Sequence, residues 1–96
     1  MTAIGGFVFD DSGNGLSRII KIFPAAPASC GSSGQVASIQ TMADGFYFAE
    51  VPHGTKWWVG VCNPATPNSG TFLGGRFIDH KLAKKEFDEE DFYVTP

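Results

Sequence analysis

The chain has 96 residues and a net charge of −3, with 43% hydrophobic and 18% charged residues. This length predicts one domain, residues 1–96, and the hydrophobic content excludes a disordered chain. The acidic balance excludes a basic surface for nucleic acid, and no apolar run approaches the ~20 residues that span a bilayer. The first residues, MTAIGGFVFDD, have no basic n-region and no small-residue cleavage site after an apolar stretch, so we do not expect a signal peptide.

Glycine and proline divide the chain into short segments rich in β-branched and aromatic residues, the pattern of an antiparallel all-β protein. Loops are predicted at 24–34 and 63–70, and a short helical turn near residues 80–87. Short strands at this spacing indicate a β-sandwich of about seven strands. The predicted strands are residues 3–9, 16–23, 35–41, 46–51, 56–62, 71–78 and 92–96.

Two stretches follow an ordered pattern of glycine, aromatic and β-branched residues, GFVFDDSGNGLSRIIKI and TMADGFYFAEVPHGTKWWVGV. Together they resemble the carboxypeptidase regulatory-like, Cna B-type and transthyretin-like β-sandwich domains over residues 4–62. The resemblance implies an Ig-like (prealbumin-like) antiparallel sandwich. The chain departs from the family pattern at two points. The turn at Asp44-Gly45 is one residue tighter before the first Phe, and Lys56 is inserted before Trp57.

Some of these relatives carry an isopeptide bond between a lysine of the first strand and an asparagine of the last. Here the first predicted strand has no lysine, and FYVTP, residues 92–96, has no asparagine. We therefore expect no such bond.

The resemblance also implies which residues form the core. Trp58, Gly60 and Cys62 then point outward, because neighbouring strand residues face opposite sides of a sheet. The expected core residues are Val8, Ile20, Ile22, Phe46, Phe48, Trp57, Val59 and Val61.

Two interpretations of the outward-facing Trp58 remain open. Its ring lies flat over Gly60 and over the backbone of a neighbouring strand, or it anchors an interface with a partner, where tryptophan is enriched. Tyr47 alternates with the expected core residues Phe46 and Phe48. If the two strands pair, Tyr47 and Trp58 share an outer face and form a candidate partner-binding patch, with the acidic segment 86–91 left to solvent.

The sequence offers no catalytic constellation and no cofactor motif. A zinc site built from both cysteines and both histidines is conceivable, but the resemblance places His53 and Cys62 at opposite ends of one strand. We therefore expect no metal there. The segment 10–15, DDSGNG, supplies oxygens for a weak Ca²⁺ site or forms a simple turn, and we expect the turn. Cys30 and Cys62 are expected to be free thiols, because the chain shows no export signal.

Three functions are compatible with these observations. The first is a non-enzymatic structural module that docks on other protein subunits of a larger assembly, oligomeric in that context, most plainly a virion protein of the capsid-decoration or tail-associated kind. The alternative is an extracellular or cell-surface accessory domain that binds carbohydrate or another surface ligand. The third, an enzyme or a hormone-type carrier, lacks the His/Arg/Ser set that such hydrolases need.

Overall fold

The computed structural model describes residues 2–52, 56–63, 70–79 and 87–94, and these residues form strands and no helix. The all-β class is therefore confirmed. The predicted helical turn near 80–87 lies largely outside the described residues, and its last residue begins a strand. The strands are β1 (Thr2–Phe9), β2 (Ile19–Phe23), β3 (Ala37–Gln40), β4 (Phe46–Val51), β5 (Lys56–Cys62), β6 (Phe72–Asp79), β7 (Phe87–Glu89) and β8 (Phe92–Tyr93).

The strands form two sheets. The first sheet has the order β4-β1-β7, and β8 also pairs with β1; the second has the order β3-β2-β5-β6. Pairs are antiparallel except those that β1 makes with β7 and β8, which are parallel. The described residues thus form eight strands where the sequence predicts seven, because β7 lies before the closing strand on the same edge of the sheet.

The core lies between the two sheets, and Val8, Ile20, Ile22, Trp57, Val59 and Val61 are buried in it as predicted. The indole nitrogen of Trp57 is satisfied there, donating to the Pro52 carbonyl at 3.1 Å. Alternate residues of β1, β2, β4 and β5 supply most of this layer, as in other sandwiches. The remaining buried members are Ile4, Tyr47, Ala49, Val51, Ile78, Phe92 and Val94.

The prediction for β4 is wrong: Phe46 and Phe48 point outward, and Tyr47, Ala49 and Val51 point into the core. The tight turn explains the inversion, because a shift of one residue moves every side chain of a strand to the other face. Gly45 fixes that turn. Its φ is +89°, and a Cβ on it would collide with the Val8 carbonyl.

β7 and β8 pair with β1 in the same register, but the pairing is interrupted at Glu90 and Asp91. There the Asp91 carboxylate accepts the Phe7 N–H at 2.8 Å, in place of a backbone carbonyl. Gly6 allows the close approach, since a Cβ on it would collide with the Glu90 backbone. The prediction that 86–91 is left to solvent is therefore wrong for Glu90 and Asp91, whereas Glu89 is exposed as expected.

Arg76 of the second sheet closes this edge of the sandwich. Its Nε lies 2.8 Å from Glu90 Oε1, its Nη2 donates to the Asp91 carbonyl, and its guanidinium lies 4.3 Å from the centre of the Phe92 ring. An arginine can stack and bond at once because its planar group offers a face and a fork of N–H donors.

The prediction of free thiols is wrong, because Cys30 and Cys62 form a disulfide with Cα atoms 5.8 Å apart. This separation suits disulfide geometry. The expectation rested on the compartment alone, and sequence spacing says nothing about whether a loop cysteine lies above a strand-end cysteine. Among the described residues, no helix has the length and apolar character needed to cross a membrane.

Candidate interaction surface

The outer side of the first sheet carries five aromatic side chains, here called the aromatic face. They occupy outward positions on three adjacent strands, and the register brings Phe7 opposite Phe46 and Phe9 opposite Tyr93. The members of the aromatic face are Phe7, Phe9, Phe46, Phe48 and Tyr93.

Four of these rings form a continuous row. Ring centres lie 5.5 Å apart for Phe46 and Phe7, 5.4 Å for Phe7 and Phe9, and 5.4 Å for Phe9 and Tyr93. The planes of Phe7 and Phe9 differ by only 10°. The rings hold one another in place, so the row presents a preorganised apolar surface.

The aromatic face remains open to solvent at both ends. Phe48 is 47% exposed and Tyr93 is 69% exposed, while the three rings between them are half-buried. Large aromatic side chains exposed together in this way mark interaction surfaces on soluble proteins.

The outer side of the second sheet, here called the covered face, is built differently. Trp58 lies over two glycines of adjacent strands, Gly60 and Gly75, and a Cβ on either would collide with its ring. The ring centres of Phe72 and Phe23 lie 4.7 and 6.4 Å from it. The ring therefore lies over Gly60 and a neighbouring strand, as in the first of the two interpretations given above. A role for Trp58 as an interface anchor stays a prediction.

The covered face is completed by the loop that carries Cys30. Lys21, Phe23 and Cys62 point outward from the second sheet and are nevertheless buried. The Cys30 backbone is fixed above them, since its carbonyl accepts Lys21 Nζ at 2.6 Å and its N–H donates to the Gly70 carbonyl at 2.9 Å. The disulfide adds a covalent link to the same point. This loop of the same chain therefore covers part of the outer side of the second sheet.

Tyr47 does not share an outer face with Trp58, so the predicted patch of these two residues is wrong as a geometric arrangement. Tyr47 is buried in the core of the first sheet, and its hydroxyl donates to the Glu90 carbonyl at 2.5 Å. β4 and β5 belong to different sheets.

The signal that the sequence analysis missed is Glu50. It alternates with Phe46 and Phe48, so the inward phase assumed for the two phenylalanines would bury a carboxylate in the core, where acids are rare. Alternation within FYFAEV alone favours Tyr47, Ala49 and Val51 as the inward set.

The turn at 10–15 supplies hydrogen-bond donors to the carboxylate of its own Asp10. Asp10 Oδ1 accepts the N–H groups of Ser12 and Asn14, both at 2.9 Å, and Oδ2 lies 3.3 Å from Asn14 Nδ2. The backbone hydrogen bond from Asn14 is the largest cause that lowers the pKa of Asp10 from its ordinary value. The geometry is that of the expected turn.

The described residues contain no group of three side chains suited to hold a metal ion. Cys30 and Cys62 are joined to each other and are not zinc ligands. His53 and His80, the other members of the conceivable zinc site, lie outside the described residues.

No protein-family model matches this chain, and no curated protein matches its sequence.

Proposed function

We propose that this chain is a non-catalytic structural module that docks on other protein subunits of a larger assembly through its aromatic face. The carrying observation is the row of rings from Phe46 to Tyr93, with Phe48 beside it on β4; Tyr93 is 69% exposed and Phe48 is 47% exposed. Aromatic residues dominate the energetics of interface centres, because each buries a large area at low cost in side-chain entropy.

The size of the molecule supports this proposal. A standard interface takes about 800 Å² from each partner. The two longest dimensions of the molecule are 34 and 27 Å, so one broad side provides a contact of this size.

The assembly that we propose is a virion, with the chain as a capsid-decoration or tail-associated protein. The disulfide supports a location on a virion exterior or outside the cell, because such bonds persist in oxidising surroundings. We also propose that the sandwich is of the Ig-like (prealbumin-like) type that the sequence resembles. The strand order supports this type, since the chain passes repeatedly between the sheets as in a Greek key.

The test compares two matched phenylalanines in tagged chains expressed in their native source. Phe48 on the aromatic face is 47% exposed, and Phe77 on the second sheet is 44% exposed. We expect Phe48→Asp to stay folded but to be missing from the sedimented assembly, and Phe77→Asp to be incorporated normally. Equal incorporation of both variants would place the docking surface elsewhere.

A second candidate is an extracellular carbohydrate- or surface-binding accessory domain. The observation that favours it is the near-parallel pair Phe7 and Phe9, beside Tyr93, since flat rings in a row provide stacking platforms for sugar rings. Titration of the monomeric protein with defined oligosaccharides tests it. Saturable amide shifts confined to β1, β4 and β8 would favour this function over assembly.

A further inference from the structure

We infer that the surface that binds the aromatic face belongs to a different protein, and that its apolar centre is ringed by arginine and lysine. This inference rests on the proposed docking function and names the chemistry of the partner. It is drawn from the charges around the aromatic face and from an arginine contact within the molecule itself.

Exposed acidic side chains lie on the strands of the aromatic face and at the ends of those strands. Glu50 follows Phe48 by two residues on the outward side of β4, and Glu89 pairs with outward-facing Gly5. Two further acids lie where the strands end. All four are exposed, and they are Glu50, Glu89, Asp44 and Asp11.

The described cations lie elsewhere. Lys21 is buried under the Cys30 loop, and Lys56 lies on the second sheet with Nζ 4.8 Å from the centre of the Phe77 ring. Arg76 is paired with Glu90 at the edge, and Arg18 donates to the Ser17 carbonyl next to β2. Within the described residues, the outward side of the first sheet therefore carries negative charge alone.

This pattern selects among possible occupants. A second copy docked through the same face would bring acids against acids around a low-dielectric contact, which is unfavourable. A partner with cations around an apolar centre would pair with those acids and gain in association rate. The aromatic face is thus suited to a heterologous basic surface.

Arginine suits this face better than lysine, and the molecule contains the corresponding contact. Arg76 stacks on Phe92 while it bonds the Glu90 carboxylate. An arginine of the partner placed over Phe48 and beside Glu50 would make the same two contacts between molecules. Arginine is also enriched at interface centres, where lysine is depleted.

The experiment uses the full chain labelled with ¹⁵N and two blocked tripeptides as probes. One has a tryptophan between two arginines, and the other has the same tryptophan between two glutamates. We expect the arginine peptide to shift amides of β1, β4 and β8 saturably, and to bind several-fold more tightly than the glutamate peptide. The difference should shrink as salt rises, because exposed ion pairs are screened.

Variants localise the effect. Glu50→Gln should weaken the arginine peptide about two- to fivefold, as loss of one such contact implies, and Phe77→Asp should leave its affinity unchanged. Equal affinity for both peptides, or shifts confined to β5 and β6, would overturn the inference. Concentration-dependent shifts of the same amides without peptide would overturn it in favour of a second copy.

The outcome is separable from that of the proposed function. If Phe48→Asp is lost from the assembly while neither peptide is preferred, docking through the aromatic face stands and the basic partner is wrong. If the arginine peptide is preferred while Phe48→Asp assembles normally, the charge preference stands without the proposed function.

Discussion

Both outer faces of this sandwich carry aromatic residues that point outward from their strands. On only one face does a loop of the same chain cover part of the sheet. On the second sheet, Trp58 lies over glycines and is flanked by Phe23 and Phe72. The disulfide-linked Cys30 loop covers Lys21 on the same side, where Phe77 alone of the described rings is 44% exposed. On the first sheet, the row of rings runs from Phe46 to Tyr93, and Tyr93 and the neighbouring Phe48 remain exposed. An outward tryptophan therefore does not by itself identify an interface; the surroundings of each ring decide.

The largest expected effect on stability comes from removing the disulfide that links the Cys30 loop to the covered face. Replacing Cys30 and Cys62 together by alanine should lower the free energy of unfolding by about 3–4 kcal/mol, because the bond closes a sequence separation of 32 residues. Denaturant unfolding with and without reductant measures it. An unchanged midpoint would show that the disulfide does not stabilise the fold.

A smaller effect separates the aromatic residues of the two faces. Trp58→Ala should cost about 2–3 kcal/mol because it uncovers two glycine backbones and leaves a cavity beside Phe72. Phe48→Ala should cost less than about 1 kcal/mol in the isolated domain, since the ring is half in solvent. Denaturant unfolding of both variants would contradict the account if their order were reversed.

Two adjacent glycines of β6 provide a finer test. A Cβ on Gly75 would collide with the Trp58 ring, whereas a Cβ on Gly74 would lie 3.8 Å from Phe92 and Val94. We expect Gly75→Ala to cost about 1–3 kcal/mol by displacing Trp58. Gly74→Ala, the matched control, should be close to neutral. Equal effects in thermal unfolding would mean that Trp58 does not rest on Gly75.

The smallest effect concerns the turn beside the aromatic face. Because the pKa of Asp10 is lowered from its ordinary value of 3.8, its ionised form stabilises the fold above that value, and this stabilisation is lost as pH falls through the lower folded value. Asp10→Ala should therefore be less stable than the parent at neutral pH and equal to it in strong acid. Ser12→Ala keeps the amide that donates to Asp10 and should match the parent throughout. Thermal unfolding from pH 2 to 7 would contradict this account if the Asp10→Ala deficit persisted in acid.

The sequence predicts the architecture because alternation and turn residues are local signals. The bounds of β4 and β5 follow directly from the runs FYFAEV and KWWVGVC, and the inward phase of Trp57, Val59 and Val61 is correct. Trp58 over Gly60 is likewise foreseeable, since residues two apart on a strand share a face.

The rest depends on contacts between distant segments. The inward phase of β4 depends on the length of the preceding turn, which is one residue tighter than in the family pattern. That pattern therefore predicts the wrong inward set, whereas keeping Glu50 out of the core predicts the right one. The disulfide requires the path of a long loop, and the aromatic face requires the pairing of β1 with β8 across most of the chain. Neither is encoded in local periodicity.

The most direct measurement of the difference between the two faces is radical footprinting of the chain, first free and then in its native assembly. In the free chain, Phe48 and Tyr93 should be modified rapidly and Trp58 slowly. In the assembly, Phe48 and Tyr93 should become protected, while Phe77 on the second sheet, which is about as exposed as Phe48, keeps its rate. Protection of Phe77 and Trp58 with no change at Phe48 and Tyr93 would contradict the account, because it would make the covered face the docking surface.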